Sequence, residues 1–204
     1  MSGILQYVLT PSRRIFRLFK FDQNVFGEIR DDSNEKLVTS ISIIVVSSLL
    51  AGLGSFLYWE ISGDPGITRT FINTFIFGSL FMTLLYIEGL LVTFVLLVQV
   101  FRMPVDLHAL LCVGGYASFP LGLSLLMAIP VIYPLFSILS LCLLFLFLVI
   151  GMQEVCQEKS ARVFLATLLG FATMVAALGI IAVLFSNPDA PIGAGPFGLF
   201  LKLS

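Results

Sequence analysis

One carboxylate stands well inside a long apolar stretch of this sequence. Glu88 lies in the run 71–101, which contains no other acid and no Lys or Arg. A charge at bilayer depth costs about 2.5–3.5 kcal/mol on insertion scales. Such a group is therefore a proton or cation site, a hydrogen-bonded structural carboxyl, or a group nearer the interface on a tilted helix. Asp106 and His108 form a second pair with acid–base potential, just ahead of another apolar run. No Ser or Cys nucleophile is spaced to work with them. Asp106 fits better as a helix N-cap, accepting from the orphan N–H groups of the helix that follows. His108 is the only histidine, and Cys112, Cys142 and Cys156 lack metal-type spacing. No metal and no cofactor is expected. HExxH, GxSxG, P-loop and GxGxxG patterns do not occur, and the chemistry expected is not enzymatic.

A third cluster is basic. Arg13, Arg14, Arg17 and Lys20 interleave with Phe16 and Phe19. Apolar residues recur at near-helical spacing from Ile15 to Ile29, which predicts an amphipathic helix with these six residues meeting lipid at the membrane surface. The alternative is a helix packed on the protein's own spans. Thr10 and Pro11 read as its N-cap and first turn. A fourth feature is the stretch Gly114-Gly115-Tyr116-Ala117-Ser118-Phe119-Pro120. Pro120 removes a backbone hydrogen bond and kinks the helix, as a packing kink or as a hinge. Ser118 or Tyr116 is placed to satisfy the freed carbonyl.

Membrane helices must position these groups. Of 204 residues, 58% are hydrophobic and 11% charged, against about a quarter charged in soluble domains. The apolar residues fall in blocks of spanning length. The expected class is an all-α polytopic membrane protein with five spans, near 37–59, 71–101, 107–129, 136–152 and 162–185. An amphipathic segment over 1–36 precedes them, with a polar turn at Asp31-Asp32-Ser33-Asn34. A loop holds Pro65 and Gly66, and a Pro/Gly-rich tail covers 186–204. The 71–101 run is roughly 46 Å long at 1.5 Å per residue, so it must tilt or protrude from a core of about 30 Å. No cleavable signal peptide is expected, since the apolar stretch 4–9 is short and precedes its basic residues. With the N-terminus inside, nine of the eleven Lys and Arg fall on inside segments, so the C-terminus is expected outside. The net charge of −1 gives no footprint for nucleic acid. Small residues repeat every four positions at Ser47, Ala51 and Ser55, at Gly114, Ser118 and Gly122, and at Ala166 and Gly170. They allow close helix approach, either inside one bundle or at a homo-oligomer seam.

The opening Leu9-Thr10-Pro11-Ser12-Arg13-Arg14-Ile15-Phe16, the pattern Gly115-Tyr116 followed by Pro120, and the five-span layout together resemble the YIP domain family of Rab-interacting-type membrane proteins. The resemblance covers roughly residues 9–186 and is to prokaryotic-type members, since the Asp-Leu-Tyr-Gly-Pro motif of the eukaryotic trafficking members does not occur. It implies a non-enzymatic scaffold or adaptor in a prokaryotic plasma membrane, with lipids and other membrane proteins as partners and no catalytic residue. The rival expectation is a small-solute or ion transporter using Glu88.

Overall fold

The computed structural model describes residues 2–32, 37–62 and 67–185. Every regular element among them is helical. In hydrocarbon each backbone polar group must find its partner within the protein, and a helix does this inside one segment. Two helices come first, α1 (Ser2–Phe19) and α2 (Asn24–Asp31). Five more follow: α3 (Leu37–Ile61), α4 (Ile67–Val100), α5 (Leu107–Ala128), α6 (Tyr133–Cys156) and α7 (Ala161–Phe185). All five are long and apolar enough to cross a membrane, and the chain is a multi-pass membrane protein. Ser33, Asn34, the Pro65–Gly66 loop and the 186–204 tail lie outside the described residues.

The helix bounds depart from the sequence reading where polar ends or prolines extend an apolar run. α6 begins at Tyr133, ahead of the expected 136. Pro134 sits in its first turn, where a missing N–H has no intrahelical partner to lose. α4 reaches back to Ile67 and is α-helical in its middle, with π-helical turns at Phe71–Phe77 and Leu96–Val100. α5 is the central helix, with 72% of its span buried against 28–44% for the others. It packs against α3, α4 and α6, while α7 packs along α4 and α6.

The N-terminal segment departs more. Pro11 lies inside α1, which starts at Ser2 and not at Thr10. The apolar stripe of the segment does not begin at Pro11: Ile4, Leu5, Val8 and Leu9 precede it at helical spacing, so continuing the stripe favours continuing the helix. The single expected helix also breaks in two. Phe21 N–H donates to the Leu18 carbonyl (2.8 Å) and Asp22 N–H to that of Arg17 (3.2 Å). This is a Schellman C-cap with Phe21 in the left-handed conformation at φ 58°. The reversal lets α2 fold back and bury Val25, Phe26 and Ile29 beside Leu18 in the main core.

Candidate functional site

The α1–α2 hairpin closes one end of the bundle. Arg17 makes a two-pronged pair with Glu28, at 2.7 and 2.8 Å, and a third bond from Nε to Asp22 at 2.8 Å. Two parallel bonds match the guanidinium fork to a carboxylate and fix the angle between the helices. The Glu28 and Asp22 bonds hold the Arg17 pKa above its ordinary value. The same bonds hold the carboxyls of Asp22 and Glu28 below theirs. Arg14 bonds Asp32 at 2.7 Å, and its guanidinium lies 6.0 Å from the centre of the Tyr116 ring. Arg30 donates to the Glu154 carbonyl at 2.7 Å. It thus seats α2 on the C-terminal end of α6, the negative end of that helix. The bond to neighbouring Asp31 keeps the Arg30 guanidinium more basic than usual.

The six basic and aromatic residues expected at the membrane surface therefore divide. Arg14 and Arg17 hold the hairpin together. Arg13 is exposed and makes no ion pair with the described residues. The Lys20 ammonium lies 4.7 Å from the Phe16 ring centre. Phe16 is outward-facing, at 60% exposure. Phe19 is half-exposed and rests edge-on against Phe119, which meets Phe147 at 4.8 Å. Phe21 also stacks on Phe147, at 5.5 Å. A ladder of rings thus joins the surface hairpin to α5 and α6.

At Ser118, α5 changes from α-helix to a 3-10 helix over Phe119–Ala128. Pro120 lies in the first turn of the new segment, where it supplies a fixed φ and needs no N–H bond. The Ser118 N–H turns to the Gly115 carbonyl at 3.2 Å, which the Ser118 hydroxyl also meets at 2.7 Å. Gly114, whose carbonyl would have accepted from Ser118 in an unbroken α-helix, accepts instead from the Tyr86 hydroxyl at 2.7 Å. Of the expected satisfiers, the Ser118 hydroxyl meets the Gly115 carbonyl, one residue before the Tyr116 carbonyl that Pro120 frees, while the Tyr116 ring faces Arg14. Tyr86 was not read from the sequence. The available signal was a lone tyrosine in an apolar run, since a buried phenol oxygen needs a partner. Gly115 lies so close to α3 that a Cβ there would come 2.5 Å from Ser40 Cβ and 2.7 Å from its carbonyl oxygen.

The small-residue faces are used inside the bundle. Ser47, Ala51 and Ser55, Gly114 and Ser118, and Ala166 and Gly170 are all buried within one chain. Gly170 meets Gly89 of α4, whose Cβ, if it had one, would lie 2.9 Å from the Gly170 carbonyl oxygen. Glu88 lies next to that crossing, turned about 100° from Gly89 toward outward-facing Leu84 and Leu91. Glu88 is partly buried, and its Oε2 is enclosed without a hydrogen-bond partner. The space between Tyr86, Gly89, Gly170 and Met174 on the inner side does not admit a water. Asp106 caps α5 as expected, accepting from Ala109 N–H at 3.0 Å. His108 Nε2 lies 3.6 Å from Cys112 Sγ, one turn on. Among the described residues no three His, Cys, Asp or Glu side chains are grouped to hold a metal ion.

Comparison with known proteins finds no family model, no curated protein and no solved structure that matches this chain.

Proposed function

We propose that this protein is a non-enzymatic membrane scaffold or adaptor, of the kind its resemblance to the prokaryotic-type YIP members implies. The hairpin end faces the cytoplasm and the C-terminus lies outside. The charge bias of nine basic residues against two supports that orientation.

The α1–α2 hairpin carries this reading. The hairpin is held together by the Arg14 and Arg17 bonds, and one face is fixed to the bundle by the Arg30 bond and by burial of Leu18, Val25, Phe26 and Ile29. The other face holds out Phe16 beside Arg13 and Lys20, with Phe19 and Phe21 half-exposed at its edge where they meet Phe119 and Phe147. A rigid platform of aromatic and cationic groups at headgroup level suits a partner that is itself in the membrane. Preorganisation also lowers the ordering cost of such a contact.

A photoreactive phenylalanine analogue at position 16 or 21, irradiated in native membranes, tests the reading. The expected product is one discrete cross-linked membrane protein, the same from both positions. Adducts to lipid alone, or a smear without a preferred protein, would overturn the adaptor reading.

A further inference from the structure

A groove of about 560 Å³ opens where α1 lies across α3. Pro11, Ile15 and Phe19 form one wall, α3 from Val38 to Leu50 forms its floor, and Phe119 of the 3-10 segment closes its inner side. Three of its hydroxyl residues are already occupied. Ser42 donates to the Val38 carbonyl at 2.7 Å, and Ser12 and Thr39 have partners of their own. The remaining lining is largely apolar.

Three properties select an occupant. The first is depth. The floor starts one residue into α3 and runs about 18 Å along it at 1.5 Å per residue. One leaflet of a bilayer with a hydrocarbon core of about 30 Å is roughly 15 Å deep. The groove therefore begins at the interface and ends near the bilayer centre. The second is width. A helix of that length, about 10 Å across with its side chains, would need more than twice the volume. At roughly 30 Å³ for each water-sized group, the groove holds about as many groups as one acyl chain has carbons. The third is charge. Arg14, Arg17 and Arg30 are each paired to a carboxylate. Arg13 and Lys20 are exposed and have no such partner among the described residues; neither lines the groove, but Arg13 follows the lining residue Ser12 in α1 and Lys20 follows Phe19 just past its end.

We propose that this groove is a binding site for one acyl chain of an anionic phospholipid, whose phosphate is held by Arg13 and Lys20. The site shares α1 with the adaptor platform but needs no protein partner, so the two readings fail separately.

The test uses the full chain in bilayers of phosphatidylcholine doped with a diazirine-tailed phosphatidylglycerol or its phosphatidylcholine counterpart. After irradiation the adducts are mapped by mass spectrometry. Phosphatidylglycerol adducts are expected to concentrate on Ile15, Phe19, Ile43, Val46 and Leu50. Val46→Trp, an outward-facing position at the groove, is expected to abolish adducts there for both probes. Arg13→Gln and Lys20→Gln, both at exposed positions outside the packed core, are each expected to lower the phosphatidylglycerol yield about fivefold while sparing phosphatidylcholine. Adducts spread evenly over the outward faces of α3, α4 and α7 would overturn the site. Equal yields from the two probes in the unsubstituted protein would overturn the headgroup assignment and with it the proposal.

Discussion

Tyr86→Phe removes one oxygen from the centre of the bundle and leaves the fully buried ring in place. What is lost is the 2.7 Å bond to the Gly114 carbonyl. The donor that an unbroken α-helix would offer that carbonyl, the Ser118 N–H, is engaged with Gly115. Interhelical hydrogen bonds in bilayers average about 0.6 kcal/mol and reach about 1.7. A buried group left unsatisfied costs about 1–3 kcal/mol. The site lies at the overlap of these ranges, so a loss of about 1–2 kcal/mol is expected, or roughly 5- to 30-fold in the folded-to-unfolded ratio. Unfolding by detergent titration or steric trapping in bicelles measures it. An isotope-edited infrared band from Gly114, labelled at its carbonyl, reports the bond directly and should move to higher frequency. Stability within about 0.5 kcal/mol of the unsubstituted protein, the range of an inconsequential surface change, together with an unmoved band, would refute the assignment of Tyr86 to that carbonyl.

Gly115→Ala forces α5 and α3 apart at Ser40 and is expected to cost about 1–3 kcal/mol as overpacking, measured by the same unfolding titration. Arg17→Glu should open the α1–α2 hairpin, seen as faster amide exchange over residues 17–32, and the swap Arg17→Glu with Glu28→Arg should restore part of the protection. Because the carboxyls of Asp22 and Glu28 titrate below their ordinary values in the folded hairpin, their contribution is complete above the unfolded values. It fades as pH falls through the lower folded ones. Protection factors in the hairpin, corrected for the intrinsic pH dependence of amide exchange, should therefore stay flat from neutral pH down to about pH 5 and fall only below the usual carboxylate range of about 4. For the proposed orientation, cysteines replacing Gln23 and Gln157 should react with an impermeant reagent from the cytoplasmic side, and those replacing Ser62 and Val131 from the other. Labelling of Gln23 and Ser62 positions from one side would remove α3 as a span.

The five membrane helices were legible because a run of apolar residues long enough to cross a bilayer has few other ways to satisfy its backbone. The N-cap of α5 was legible too, since Asp106 immediately precedes the apolar periodicity. The hairpin was not. Its break at Phe21 uses an aromatic residue in the left-handed conformation, where glycine is the usual signal. The carboxylates that hold it, Asp22, Glu28 and Asp32, could as well have faced water. Arg14 and Tyr116 were picked out separately, and only folding brings them together. The 3-10 segment was hidden for a different reason. Ser118, Leu121, Ser124 and Met127 are all buried, a three-residue repeat that disappears when the sequence is scanned for a period of 3.6. Glu88 illustrates a limit of composition: a run that is apolar all round does not say which side of its helix faces the bundle, and that side is set by Gly89 meeting Gly170.

That three-residue repeat also fixes how the centre of the protein can change length. In an α-helical span, an inserted residue rotates everything beyond it by about 100°, and about seven must be added before the old facing nearly returns. Over Phe119–Ala128 each residue advances a third of a turn. Duplicating three residues there would leave Met127 pointing where it did while moving the turn at Pro130 outward by about 6 Å. The segment that looks most constrained is thus the part of the bundle where a whole-turn insertion is shortest.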